Sequence, residues 1–158
     1  MAKSKRPKLK DLTRRLKSIK AKDIMTKDVI TTTENTTLAD IAELMIEARI
    51  SGLPVIGKKG KIIGLITATD LFIVMDMIKS GDIVENGKIA VSNPTVKFAM
   101  SIEVIKIKKN TTLDEIIAVM KYKNIHTLPV FDGKKMIGVI GRHDVFKNFY
   151  AAVKKLYL

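Results

Sequence analysis

The sequence predicts an α/β (α+β) protein made of two pseudo-symmetric halves, each a three-stranded sheet with two helices, packed as one module. Three observations carry this expectation. Residues 23–72 return with a shift of about 75. Each copy alternates short strand-patterned and helix-patterned segments. A chain of 158 residues with 46% apolar content and mean hydropathy +0.11 has the material for one core or two small ones.

The first copy reads VITTTENTTLADIAELMIEARISGLPVI and the second VIKIKKNTTLDEIIAVMKYKNIHTLPVF. Asn35, Thr36, Thr37, Leu38, Ile41, Met45, Leu53, Pro54 and Val55 return as Asn110, Thr111, Thr112, Leu113, Ile116, Met120, Leu128, Pro129 and Val130. After a shortening of one residue, Ile63, Gly64, Ile66, Asp70 and Phe72 return as Ile137, Gly138, Ile140, Asp144 and Phe146. Chance does not hold register in this way.

The elements follow in order. Val29–Thr32 is a first strand. Thr37-x-x-Asp40 and Thr112-x-x-Glu115 have capping-box spacing and open helices, the first with an apolar stripe at Leu38, Ile41, Leu44, Met45 and Ala48. Two apolar runs, Leu53–Ile56 and Lys61–Ile66, flank a Gly-Lys-Lys-Gly turn and read as a hairpin, and Phe131-Asp-Gly-Lys-Lys135 serves the second copy. Closing helices run from about Ala68 to Ile78 and from about His143 to Leu156. The expected segments are a basic arm at 1–20, a first unit at 21–80, a connector at 81–95 and a second unit with a C-terminal helix at 96–158. Neither half can bury both faces of a small sheet alone, so the halves are expected to pack together around a cleft.

Composition excludes several classes. With no cysteine there is no disulfide, no thiolate nucleophile and no cysteine-held metal. No G-x-S-x-G, no G-x-x-x-x-G-K-[ST] and no histidine pair at metal spacing occurs, since His126 and His143 occupy different motif positions of one copy. An enzyme is the class most nearly excluded, with carboxylate acid-base chemistry alone left open. The N-terminal MAKSKRPKLK lacks the apolar stretch of a secretory signal, and no run approaches the roughly 20 apolar residues of a membrane span. A cytoplasmic protein is expected.

Net charge is +13, and residues 1–20 hold nine basic residues against Asp11, so +8 of it lies there. Pro7 can open a helix in which Leu9, Leu12, Leu16 and Ile19 form a narrow apolar stripe among lysines and arginines. Four uses compete: docking on the protein's own surface, nucleic-acid contact through Lys8, Arg14, Arg15 and Lys17, a partner or dimer helix, and an anionic membrane surface. The lack of aromatics limits any nucleic-acid contact to phosphates. At the other end, Phe146, Phe149, Tyr150, Val153 and Leu156 share one helical face, which suits core packing or a homodimer.

GLITATD, Gly64 to Asp70, is half-repeated as GVIGRHD at Gly138 to Asp144. Thr67-x-x-Asp70 at a strand-to-helix junction is itself a capping box, and Gly141 with Asp144 suits a cap as well. A second reading stands beside it. A helix N-terminus attracts anions, a nearby carboxylate can accept from the vicinal hydroxyls of a ribose, and glycine lets a ligand approach the backbone.

The paired copies, each with an h-x-Leu-Pro-Val segment followed by G-h-h-T-x-x-D or its variant, resemble a tandem of CBS domains, the regulatory Bateman module, over about residues 21–150. That resemblance implies a module sensing adenine nucleotides or adenosyl metabolites such as AMP, ADP, ATP or S-adenosylmethionine, with no catalytic cofactor. It implies that Asp70 holds the ribose with Thr67 and Thr69 beside it, and that Asp144 does so in the second copy, where Gly141 replaces the hydroxyl. Arg142 and His143 can meet phosphate oxygens there. Ser51 and Gly52, and His126 and Thr127, precede the Leu-Pro-Val segments and approach the phosphates. Backbone around Thr32 and Ile107 meets the adenine edge. The resemblance also implies a homodimer. The competing function is a nucleic-acid-binding protein that uses the basic arm, with nucleotide setting its affinity.

Overall fold

The structure, a computed structural model, describes residues 9–80, 84–85, 88–89 and 94–157. The chain divides into two compact units. A central unit is Val29–Ile105, and a terminal unit joins Met1–Asp28 to Lys106–Leu158.

In the central unit, α3 (Leu38–Ala48) starts where the sequence places it. Thr37 is its N-cap, with the hydroxyl accepting from the Asp40 amide at 3.2 Å. It buries Leu38, Ile41 and Met45 and stops at Arg49, which takes a left-handed conformation at φ 54°. The expected hairpin forms as β1 (Gly52–Ile56) antiparallel to β2 (Ile62–Thr67), and α4 (Ala68–Ser80) follows at once. Leu53, Val55, Ile66, Leu71 and Val74 join the helix residues in one buried cluster.

The terminal unit repeats this plan. There β5 (Ile107–Lys108), α6 (Leu113–Lys123), β6 (Thr127–Asp132), β7 (Lys135–Gly141) and α7 (Arg142–Tyr157) form a three-stranded sheet of order β5-β6-β7 with its helices. Thr112 donates its amide to the Glu115 carboxylate at 2.8 Å, and α6 ends on Asn124 at φ 51°, the counterpart of Arg49. Leu113, Ile116, Leu128, Val130 and Ile140 are fully buried.

One expected strand is not realised as such. Instead of a strand over Val29–Thr32, the central unit has a single parallel bridge from Thr32 to Val55, so its named sheet has two strands. The Thr32 hydroxyl donates to Thr36 Oγ1 at 2.9 Å, and the Thr36 amide reaches the Thr33 carbonyl at 3.3 Å. The chain therefore turns toward α3 after one pair. Within the expected connector lies a short hairpin, β3 (Val84–Glu85) with β4 (Lys88–Ile89), and Asn86-Gly87 between them is the residue pair two-residue hairpins favour. The rest of 81–93 lies outside the described residues.

The two units cross the expected segment boundaries, because each copy's leading segment packs on the other copy. In the terminal unit, α2 (Ala21–Ile24) starts with the amides of Ala21 and Lys22 donating to the carbonyls of Thr111 and Lys109, at 2.8 and 2.9 Å. In the central unit, α5 (Val96–Ala99) does the same: Val96 and Lys97 donate to Thr36 and Glu34 at 2.8 and 2.9 Å. Ala21 and Val96 are both 0% exposed and complete the respective cores.

Just after these short helices, the leading segments seat on the hairpins. Ser101 exchanges both backbone hydrogen bonds with Leu65 at 2.9 Å each, and Thr26 does so with Val139 at 2.9 and 3.0 Å. The glycine of each motif makes this approach feasible. A Cβ on Gly64 would sit 2.8 Å from the Ser101 carbonyl oxygen, and one on Gly138 would sit 3.0 Å from that of Thr26. Gly64 thus admits the protein's own backbone, where the sequence left room for a ligand. Finally α1 (Leu9–Ser18) lies against α6 and α7 with Leu12 and Leu16 half-buried, which is the docking use of the basic arm.

Gly64→Ala is expected to lower the unfolding free energy by about 1–3 kcal/mol through overpacking against the Ser101 carbonyl. Urea denaturation measures it, and an unchanged midpoint would show that residues 100–101 do not constrain β2.

Candidate functional site

The strand-to-helix junction of the central unit gathers four of the expected residues. The Ala68 amide, first in α4, donates to the Ser51 carbonyl at 2.8 Å, which ties the residue before β1 to the helix start. The amide and hydroxyl of Thr67 both donate to Asp70 Oδ2, at 2.8 and 3.0 Å, and the Asp70 amide returns to Thr67 Oγ1 at 3.4 Å. Asp70 is half-buried and Thr69 exposed in the first turn. The capping reading of Thr67-x-x-Asp70 is therefore realised.

Capping does not exhaust the carboxylate. Among the described residues both bonds to it fall on Oδ2, which fixes the side-chain rotamer and leaves Oδ1 as an acceptor. A negative group at this end of the thirteen-residue α4 also complements the helix dipole.

The terminal unit builds the same junction with less. The Arg142 amide donates to the His126 carbonyl at 3.2 Å, as Ala68 does to Ser51. The Gly141 amide donates to Asp144 Oδ2 at 2.9 Å, but no hydroxyl adds the second bond that Thr67 supplies. Arg142 and His143 are exposed on the first turn of α7, and His126 is half-buried. His126, Arg142, His143 and Asp144 are thus brought to one helix start.

Thr32 and Ile107 stand at equivalent places beside the hairpins. Thr32 is 8% exposed, its amide donating to the Pro54 carbonyl at 3.0 Å and its carbonyl accepting from Ile56 at 2.8 Å. Ile107 is paired with Val130 in β5 and β6. Both backbone groups of Thr32 are consumed by β1, so alternation along an extended chain turns those of Thr31 and the Thr33 amide away from it. The expectation named the backbone around Thr32 without separating Thr32 from its neighbours Thr31 and Thr33. The signal was there only in combination, since it needs the pairing partner of Thr32 as well as the strand period.

Of the basic-arm residues, Arg14 and Lys17 are exposed, Arg15 is half-buried, and Lys8 lies outside the described residues. Arg14 meets Asp11 only at 3.9 Å on an exposed helix face. Among the described residues no helix is long and apolar enough to cross a membrane, and no cluster of three or more His, Cys, Asp or Glu could hold a metal ion.

Known proteins share this fold. The family model of the CBS domain matches residues 21–76 and again residues 96–151. An inosine-5'-monophosphate dehydrogenase of Methanocaldococcus jannaschii is 29% identical over 130 residues, covering 82% of this chain and 23% of that protein. An uncharacterized protein of the same organism is 31% identical over 129 residues, covering 80% of this chain and 46% of that protein. The chain thus spans less than half the length of these curated relatives. Among solved structures, a CBS domain pair in complex with 5'-methylthioadenosine and S-adenosyl-L-methionine is 26% identical with a TM-score of 0.66, covering 84% of this chain and 96% of that one.

Gly141→Thr tests the difference between the junctions. A Cβ there would meet nothing nearer than Asp144 Oδ2 at 3.8 Å and the His126 carbonyl oxygen at 4.0 Å. The added hydroxyl is expected to reach Asp144 as Thr67 reaches Asp70, raising stability by a few tenths of a kcal/mol. Thermal melting reads the change, and a lower melting temperature would contradict it.

Proposed function

We propose, from the fact that the chain belongs to the CBS-domain family, that it is a regulatory module binding an adenosyl ligand at the α4 junction. The observation that carries this reading is the Asp70 carboxylate, held by two bonds from Thr67 on one oxygen and left with the other. A ribose presents two vicinal hydroxyls, and a carboxylate whose rotamer is already fixed accepts from them without losing side-chain freedom.

The remaining roles follow from placement. Thr67 positions Asp70, and the exposed Thr69 hydroxyl offers a donor to ribose or phosphate oxygens. Ser51, tied to the start of α4, stands on the phosphate side. Backbone of Thr31 and Thr33, flanking Thr32, faces the base edge. Asp144, with Arg142, His143, His126 and the segment at Ile107, forms a second, weaker site because Gly141 brings no hydroxyl. A CBS pair 26% identical to this chain binds 5'-methylthioadenosine and S-adenosyl-L-methionine, which supports the adenosyl class. The ligand here regulates and is not turned over, and the setting is the cytoplasm.

The chain also carries apolar side chains toward solvent on two helices. Phe72, Ile73, Met75 and Ile78 of α4 are exposed, as are Phe146, Phe149 and Tyr150 of α7, whereas Val153 and Leu156 are half-buried. Exposed apolar groups recurring at equivalent places of both copies fit a homodimer formed through these helices.

Titration calorimetry with S-adenosylmethionine, 5'-methylthioadenosine, AMP and ATP is expected to show binding by the wild type. Loss of a charge-assisted hydrogen bond, about 1.5–3 kcal/mol, should weaken it roughly 10- to 150-fold in Asp70→Ala. Asp144→Ala should cost less. Equal affinity in the wild type and Asp70→Ala would remove Asp70 from the site, and a wild type that binds none of the four would remove the function. For assembly, light scattering should give about twice 17.6 kDa, reduced to monomer mass by Phe72→Asp with Phe146→Asp; a monomeric wild type at micromolar concentration refutes the dimer.

A further inference from the structure

The excess positive charge of this chain belongs to one unit. The terminal unit holds 22 basic and 7 acidic residues, and the central unit 7 basic and 9 acidic, so they carry +15 and −2 of the total +13. Without residues 1–20, which carry +8, the terminal unit still stands at +7. Two copies of one fold are mutual controls: lysines needed only for solubility would be shared between them, and they are not.

Part of that charge is organised on the docked helix. Lys10, Arg14 and Lys17 recur at spacings of four and three on α1, and all are exposed. They are offset by two positions from Leu12, Leu16 and Ile19, which are half-buried, and two positions are about 200° around a helix. The apolar side of α1 is thus spent on α6 and α7, and its opposite side is a cationic stripe about 10 Å long at 1.5 Å per residue. On the flank of α1 lies a groove of about 260 Å³. Its lining includes Arg15, Ser18 and Ile19 from α1 and its end, Asp23 from α2, and Asn148 and Lys155 from α7. Its one carboxylate, Asp23, already accepts from the Lys20 amide at 3.3 Å.

We propose that this face of the terminal unit binds the sugar-phosphate backbone of duplex nucleic acid, with Arg15 and Lys155 seating a phosphate in the groove and Lys10, Arg14 and Lys17 following the strand. Arginine and lysine at a groove of this size match phosphate oxygens, and Ser18 and Asn148 add neutral polar groups. Recognition is of the backbone because the stripe and groove carry no aromatic side chain for base stacking. A membrane surface fits less well, since an interfacial helix inserts its apolar side and α1 uses that side against the protein. A protein partner fits less well too, because lysine is depleted in such interfaces. The surface is broader than the N-terminal arm, since it adds Lys155 of α7, and it stands independently of the adenosyl site.

Fluorescence anisotropy of a labelled DNA duplex with the full chain tests this. Five phosphate contacts at a slope of about −0.9 each predict an affinity loss of about 500-fold between roughly 50 and 200 mM salt. Lys10→Ala with Arg14→Ala and Lys17→Ala should flatten the log–log slope by about 2.7, and Arg15→Ala with Lys155→Ala by about 1.8. Lys58→Ala with Lys59→Ala and Lys61→Ala, in the central hairpin, should leave it unchanged, and circular dichroism melts verify that each variant is folded. The proposal is overturned by a folded terminal-unit variant that keeps the wild-type slope, by equal loss in the central variant, or by binding to phosphatidylserine vesicles without binding to duplex.

Discussion

The fold rests on two pairs of backbone hydrogen bonds made far along the chain from where their partners lie in sequence. Ser101 with Leu65 and Thr26 with Val139 each close the outer edge of a hairpin. An open hairpin edge is a row of unpaired amides and carbonyls, and a two-stranded hairpin alone is marginal in water. The motif glycines exist for this contact: at Gly64 the intruding atom is a backbone carbonyl oxygen, which cannot rotate away as a side chain would. Because the covering segment of each copy comes from beside the other, neither copy is complete as a contiguous stretch of chain.

The same hairpins end where the helices of the site begin. β2 passes into α4 at Thr67 and Ala68 without a loop, and β7 passes into α7 at Gly141 and Arg142. The cap carboxylate is therefore placed by the sheet, and its direction by Thr67. A structural role and a ligand role for Asp70 are compatible for a simple reason: a carboxylate has two oxygens, and the cap takes one. Where Gly141 stands in for Thr67, the amide bond persists at 2.9 Å and the hydroxyl bond is missing, so the second carboxylate is placed with one restraint fewer.

Much of this was legible in the residues. The repeat placed both hairpins and all four longer helices of the two copies, because period-two and period-3.6 apolar patterns agree with the turn glycines of the hairpins and with the helix starts, threonine at α3, α4 and α6 and Gly141 at α7. The strand at Val29–Thr32 was overread: its residues have strand propensity, but a bond from the Thr32 hydroxyl to Thr36 draws the chain into a turn after one bridge. The exchange of leading segments was not legible at all. Ala21 and Val96 occupy equivalent positions, and a repeat in register with both copies cannot say which copy a segment completes. At the site, Thr67 and Asp70 could be read because a cap has a spacing. Which backbone groups beside Thr32 stay unpaired by β1 could not, because that depends on its pairing partner and leaves no residue type behind.

The two copies keep one plan and differ in composition. The central unit has the threonine of the cap and a near-neutral composition. The terminal unit has Gly141 at the equivalent place and holds the chain's cationic excess, part of it on α1. That added helix is held by a narrow apolar stripe, with none of its residues fully buried. The unit whose junction lacks the hydroxyl bond is also the unit that carries the cationic face.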